Sequence, residues 1–152
     1  MNAKRRRLLL ATVTPMLAPG EQVEVTTIVN LSSVTVRRTA AFAAASAILS
    51  GGAVAVIPTP RPMYLVMTDR RILVFQADPT FAKTGEHVLT IPREGLVRTA
   101  IRERWLNSSF VVSSPADDRG LKIIFPLLGR SERNVIAAAL PLEAPEAAAP
   151  RA

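Results

Sequence analysis

The chain has 152 residues, a length typical of one domain that can bury a core without covalent cross-links. It contains no cysteine and a single histidine, His87, which excludes disulfide frameworks, thiolate metal sites and multi-histidine metal sites. The formal net charge of +7 favours anionic partners such as nucleic acid or an acidic lipid surface, although a soluble protein with a basic surface fits the same value.

The first residues carry a basic cluster followed by leucines. Basic residues 4–7 precede the leucines 8–10, an arrangement similar to the start of a signal peptide. The apolar run is interrupted at Thr12, and no convincing cleavage site of small residues follows. We therefore predict a basic amphipathic helix over 1–16 rather than a cleaved signal.

The first strand is predicted to begin at Glu21, because positions 23, 25 and 27 alternate with the more polar positions 22, 24 and 26. We expect it to break at 30–33, where asparagine and serine residues cluster, and to resume at Val34.

The segment 40–57 is the most unusual part of the sequence. Its 18 residues include only two polar side chains, both serines, together with eight alanines and two glycines. That length is at the lower limit for crossing a bilayer, but alanine and glycine contribute little transfer free energy. Three interpretations stay open: a buried or partner-packing helix, a membrane-inserted segment, and a loosely structured Ala-rich insert.

Two apolar, β-branched runs at 63–68 and 71–76 predict a tight antiparallel hairpin. The side chains of Thr68 and Asp69 are of the kind that bond turn backbones. We expect Asp69 to organise the turn and to pair with one of the arginines 70 and 71, while the other is solvated or packs along the sheet.

The second half of the chain predicts further strands and one helix. Alternation and turn residues indicate strands at 86–91, 97–101, 109–113 and 121–125, which makes seven strands in all. Ser131 is predicted to cap a helix that ends before Pro141 and has an apolar stripe of Val135, Ile136, Ala139 and Leu140. The Ala/Pro/Glu-rich end, 142–152, is predicted to be disordered.

The sequence contains few residues in arrangements suited to catalysis. His87 stands alone on a predicted strand, and the pair Gly51-Gly52 lacks the lysine and hydroxyl residue of a phosphate-binding loop. Asp117 and Asp118 fit a polar turn better than a calcium loop. We expect no enzyme activity, no cofactor and no metal.

A basic stripe offers a weaker site for nucleic acid. The stripe consists of Arg98, Arg102 and Arg104, which lie close in sequence to Trp105. Arginines bind phosphates and an aromatic ring stacks on bases, so this pattern predicts a contact to nucleic acid.

Three sequence motifs resemble bacterial pleckstrin-homology (PH)-like and GRAM-like domains. Residues 17–21, LAPGE, look like the opening of these domains. Residues 64–75, YLVMTDRRILVF, closely resemble their hairpin, whose signature residues here are Thr68, Asp69, Arg70 and Arg71. Residues 91–93, IPR, are similar to the step that enters the following strand.

The resemblance covers 17–141 and implies a mainly β fold with helices (α+β). The expected architecture is a seven-stranded antiparallel barrel or sandwich with a C-terminal helix. The N-terminal helix and an Ala-rich helical insert between strands 1 and 2 are expected additions. The resemblance also implies a binding scaffold, since the best-known members bind phosphoinositides or peptides.

Three functional hypotheses follow, in order of preference. The first is a scaffold that binds a protein partner or itself through the segment 40–57. The second is attachment to an anionic membrane at the inner face of the cell membrane, and the third is nucleic-acid binding; otherwise the protein is expected in the cytoplasm. The candidate partner or lipid contacts are Arg37, Arg38, Ala43, Ile48, Leu49, Val54 and Arg61.

Overall fold

The computed structural model describes residues 1–35, 60–78, 80–115, 117 and 119–143. The predicted insert 40–57 and most of the candidate contact residues lie outside this part of the chain, namely Arg37, Arg38, Ala43, Ile48, Leu49 and Val54. The predicted tail beyond Glu143 lies outside it as well.

The described residues form two α-helices, two short 3-10 helices and eight strands. In chain order these are α1 (Ala3–Val13), a 3-10 helix (Thr14–Met16), β1 (Val23–Thr35), β2 (Arg61–Thr68), β3 (Arg71–Ala77), β4 (Thr84–Pro92), β5 (Val97–Arg98), β6 (Arg102–Glu103), β7 (Asn107–Ser113), β8 (Arg119–Pro126), a second 3-10 helix (Leu127–Gly129) and α2 (Arg130–Ala139).

The eight strands belong to one open antiparallel sheet, not to a closed barrel. Its order is β4-β3-β2-β1-β8-β7-β5, and β6 also pairs with β7. Neighbours in the sheet are mostly neighbours in sequence, as expected for strands joined by short turns. The one distant pairing, between β1 and β8, joins the two halves of the chain.

Strand β1 is long enough to pair with both halves of the sheet. It pairs with β2 over 23–31 and with β8 over 30–35. The predicted break at 30–33 is therefore wrong. Asn30 and Leu31 have partners on both sides, and the two ladders satisfy their backbone groups regardless of the low strand propensity of asparagine.

Strands β2 and β3 are covered on both faces, which explains their continuous apolar sequences. One face contributes to the main core, together with side chains from β1, β4, β7, β8 and α2. The other face packs against α1, where Leu9 and Val13 are fully buried against Tyr64 and Phe75. Arg5 also donates a hydrogen bond of 2.7 Å from Nη1 to the Tyr64 hydroxyl, which fixes the helix on the sheet.

The predicted fifth strand, 97–101, is shorter than expected, because only β5 (Val97–Arg98) lies within it and β6 (Arg102–Glu103) follows after an irregularity. Arg98 pairs with Val112 and Arg102 pairs with Ser109. The chain therefore advances four residues from Arg98 to Arg102 while β7 advances only three, which leaves one extra residue on the β5–β6 side. At the irregularity, the backbone N–H of Val111 donates to the Thr99 hydroxyl oxygen at 2.9 Å. This bulge gives eight strands where alternation predicted seven.

Helix α2 differs from its prediction at both the cap and the buried stripe. It begins at Arg130, and Ser131 makes no cap but donates to the Glu132 carboxylate at 2.9 Å. Ile136 and Leu140 are buried as expected, whereas Val135 is 46% exposed.

The chain remains paired just beyond α2. The backbone N–H of Arg98 donates to the Pro141 carbonyl at 2.9 Å, and that of Glu143 donates to the Arg98 carbonyl at 2.7 Å. Leu142 thereby forms a parallel bridge with Arg98, at the start of the segment predicted to be disordered.

Candidate binding surfaces

The signature hairpin and the opening segment meet in one polar cluster, which we call the motif cluster (Glu21, Thr68, Asp69, Arg70 and Arg71). The turn between β2 and β3 supplies four of these residues, and the segment before β1 supplies Glu21. The Thr68 hydroxyl is fully buried and accepts the backbone N–H groups of Arg70 and Arg71 at 3.1 and 3.0 Å. It donates to Glu21 Oε2 at 2.6 Å.

A buried ion pair lies at the centre of the motif cluster. Arg71 donates from Nε to Glu21 Oε2 at 2.9 Å and from Nη2 to Oε1 at 3.1 Å. The Glu21 side chain is 1% exposed, and that of Arg71 is 27% exposed. The hydrogen bond from Arg71 lowers the pKa of Glu21 to about 2, helped by Thr68 and the Ala18 N–H and opposed by burial.

Asp69 acts differently from the expectation that it pairs with an arginine. Its Oδ1 accepts the backbone N–H of Gln22 at 2.9 Å, and its own N–H donates to the Gln22 carbonyl at 3.0 Å. Arg70 is exposed and donates to the Pro19 carbonyl at 3.3 Å. The motif cluster thus joins the opening segment to the hairpin, and its polar groups are largely used by these internal bonds.

Sequence reasoning missed the partner of Arg71. Glu21 and Arg71 are 50 residues apart, and no local spacing relates them. The available signal was the presence of both motifs in one chain, since each supplies one half of the ion pair.

Arg61 is the described member of the predicted contact set. It is exposed, it begins β2, and it pairs with Leu31 of β1. It therefore lies at the point where the chain enters the sheet after the 36–59 connection.

The predicted basic stripe does not form one continuous surface. Arg98 donates from Nε to the Ala137 carbonyl at 2.8 Å, and its guanidinium lies 5.8 Å from the centre of the Phe110 ring. It therefore ties β5 to α2. Arg102 and Arg104 remain exposed beside Trp105.

Four large apolar side chains are exposed at one end of the sheet, which we call the apolar end. Trp105 and Leu106 form the turn between β6 and β7 and are 89% and 68% exposed. Leu127 and Leu128 begin the 3-10 helix after β8 and are 46% and 93% exposed.

Register places these two pairs next to each other. The Arg104 N–H donates to the Asn107 carbonyl at 2.8 Å, which closes the turn, and Asn107 pairs with Pro126 on β8. Leu106 directly precedes Asn107 and Leu127 directly follows Pro126, so the two leucines lie side by side just beyond this residue pair. Arg130 also donates from Nη2 to the Arg104 carbonyl at 3.4 Å, so the start of α2 contacts the same turn.

An ion cluster beneath the apolar end holds α2 against the sheet. Arg133 donates to a carboxylate oxygen of Glu103 and, at 2.9 Å, to the buried Ser108 hydroxyl. Arg130 Nη2 lies 3.7 Å from the other Glu103 oxygen. The turn that carries Trp105 is thus supported by charged side chains from α2.

The described residues hold no group of three or more side chains suited to a metal ion. His87 is exposed, its Nε2 lies 2.8 Å from the Thr90 hydroxyl oxygen, and its ring lies 5.2 Å from that of Phe75, centre to centre, at a tilted angle. Within the same part of the chain, neither helix has the length and hydropathy required to cross a membrane.

Comparison with known proteins shows the fold. No family model and no curated protein matches the chain. Among solved structures, the chain is similar to one described as "Critical structural role for the PH and C1 domains of the Vav1 exchange factor", with a TM-score of 0.50 and 9% identity over 78% of this chain and 26% of that chain. A crystal structure of N-terminally truncated linker-DH/PH domains of p115-RhoGEF gives a TM-score of 0.46 and 8% identity over 93% of this chain and 41% of that chain.

The predicted PH-like fold is confirmed by the first of these likenesses. The chain spans about a quarter of the length of that exchange-factor chain, 26%. The narrower resemblance to GRAM-like and bacterial members stays a prediction, since identities of this size show the fold alone.

Proposed function

We propose that the chain is a non-enzymatic PH-like binding module, a scaffold that binds a protein partner or a second copy of itself. The observation that carries this proposal is the internal use of the motif cluster. Its ion pair, hydroxyl and turn carboxylate are bonded to the protein's own groups, so they serve the fold rather than a substrate. The structural role described for the PH and C1 domains of the Vav1 exchange factor is in keeping with a scaffold.

The proposed docking element is the segment 40–57, with the flanking arginines 37, 38 and 61. Two strand pairings support this choice, because they hold both ends of the connection on the sheet. Thr35 pairs with Arg119 before it, and Arg61 pairs with Leu31 after it. These pairings join both ends of the connection to the sheet, so a partner bound to the segment is linked to the whole domain. Small residues at high density also allow a partner helix to approach closely.

Deleting 40–57 is expected to convert an assembling protein into a folded monomer. The variant replaces the segment by a short Gly-Ser linker, and the measurement is the mass in solution by light scattering at micromolar concentration. The intact chain should exceed its monomer mass of 16.4 kDa, and the deletion variant should equal its own monomer mass.

Cooperative thermal unfolding of the deletion variant is the control for folding. The proposal would be contradicted if the intact chain were monomeric and also bound no protein partner through 40–57. So would an oligomer that persists after the deletion.

Attachment to an anionic membrane is the second candidate function, and the exposed apolar end favours it. Nucleic-acid binding is the third, and it has lost one element of its expected surface, because Arg98 is bonded to α2. Failure to retard single-stranded or duplex nucleic acid at low salt would exclude this third function.

A further inference from the structure

The apolar end is a protruding surface. Trp105 and Leu128 are 89% and 93% exposed, although large apolar residues normally contribute to a core. Both belong to tight connections, a two-residue turn and a 3-10 helix, whose backbone is fixed by the pairing of Asn107 with Pro126. The end therefore presents apolar groups on a rigid support.

The charges around the apolar end are predominantly positive. Arg102 and Arg104 are exposed, and neither takes part in an ion pair among the described residues. The carboxylate in this region, Glu103, is compensated by Arg130 and Arg133. A partner at this end thus meets apolar groups beside unneutralised guanidinium groups.

We propose that the apolar end docks on an anionic lipid membrane. Trp105, Leu106 and Leu128 enter the interface between headgroups and acyl chains, where an indole ring is favoured. Arg102 and Arg104 lie at the level of the lipid phosphates and bind them. This inference rests on the second candidate function, attachment to an anionic membrane, and assigns it to a different surface from 40–57.

Charge complementarity favours lipid over a second copy of the chain. A symmetric dimer through this end would bring the arginines of both copies together without carboxylates to pair with them. An anionic bilayer supplies the missing negative charge. It also receives the apolar side chains without requiring a matching groove.

The chain contains a single tryptophan, so the emission of Trp105 reports directly on this surface. The experiment adds vesicles of phosphatidylcholine, with or without phosphatidylglycerol, to the full chain. We expect a blue shift of the emission and quenching by brominated acyl chains with the anionic vesicles, and much weaker changes with the neutral ones. High salt should reduce the binding.

Leu128→Ser is expected to weaken partitioning to anionic vesicles about tenfold, because it removes a large apolar group from the interface. The matched control is Phe81→Ser, at a side chain 65% exposed in the connection between β3 and β4, which should bind like the wild type. The chain lacking 40–57 should also bind, which separates this inference from the proposed scaffold function.

Any one of five results would overturn the proposal. One is an emission that does not change when anionic vesicles are added. Another is an emission that changes equally with neutral vesicles. Removal of 40–57 abolishes binding while Leu128→Ser leaves it intact. The blue shift develops with protein concentration in the absence of lipid, which would assign the surface to self-association. A single-stranded oligonucleotide changes the emission at lower concentration than vesicles do, which would assign it to nucleic acid.

Discussion

Replacing Arg71 with alanine is expected to lower the free energy of unfolding by about 3 kcal/mol, because it leaves a buried carboxylate without its cation. Glu21 is 1% exposed and accepts two hydrogen bonds from Arg71. The estimate lies at the lower end for a broken buried pair, since Arg71 itself is 27% exposed. Urea unfolding at neutral pH measures the loss.

Arg70→Ala is the matched control, since it removes the neighbouring arginine of the same turn. Arg70 is exposed and makes one side-chain bond, of 3.3 Å, to the Pro19 carbonyl. Its loss should cost less than about 1 kcal/mol. Equal losses for the two variants would contradict the assignment of Glu21 and Arg71 as the centre of the motif cluster.

The pH dependence of unfolding gives the same pair a second readout. The pKa of Glu21 falls from its usual 4.5 to about 2 in the folded protein. A carboxyl with a depressed folded pKa stabilises the protein above its unfolded pKa, and this contribution is lost as the pH falls from about 4.5 towards 2. The shift corresponds to about 3 kcal/mol. The stabilities of the wild type and Arg71→Ala should therefore converge over that window.

Leu9→Ala is expected to cost about 2–5 kcal/mol, the range for removing a fully buried leucine side chain. Leu9 is 0% exposed and packs between α1 and the outer face of β2 and β3, against Tyr64 and Phe75. The loss should appear as a lower urea midpoint. The slope of the unfolding free energy against urea concentration should not change, because α1 and the sheet unfold together in both proteins.

Leu8→Ala provides the control for Leu9→Ala on the same helix. Leu8 is 37% exposed, so its truncation should cost less than about 1 kcal/mol. If Leu9→Ala were equally mild, or if α1 unfolded in a separate earlier transition, the helix would not be part of the cooperative unit.

Strands marked by their own composition were predictable from sequence, whereas elements decided by distant pairing were not. The runs 63–68 and 71–76 predicted β2 and β3 because apolar residues continue through both. The break expected at 30–33 was wrong because β8, about 90 residues later in the chain, pairs with that part of β1. The bulge at Thr99 depends on its hydroxyl accepting from Val111, which no periodicity reveals.

The candidate sites divide in the same way. The hairpin motif was found by resemblance, but its structural role depends on Glu21, 50 residues away from Arg71. Trp105 was predicted to stack on nucleic acid beside the basic stripe. In the structure it lies in the turn between β6 and β7, whereas Arg98 is bonded to α2. Leu127 and Leu128 were missed, because two leucines after a strand read as core residues when their exposure is unknown. The role of 40–57 stays a prediction.

The most direct test of the account compares Arg70→Ala and Arg104→Ala on anionic vesicles by cosedimentation. The hairpin signature builds the fold, whereas the proposed contact with lipid lies at the apolar end. Arg70→Ala should bind like the wild type, and Arg104→Ala should bind about fivefold more weakly, as expected for one arginine near an anionic surface. Loss of binding in Arg70→Ala with full binding in Arg104→Ala would contradict it.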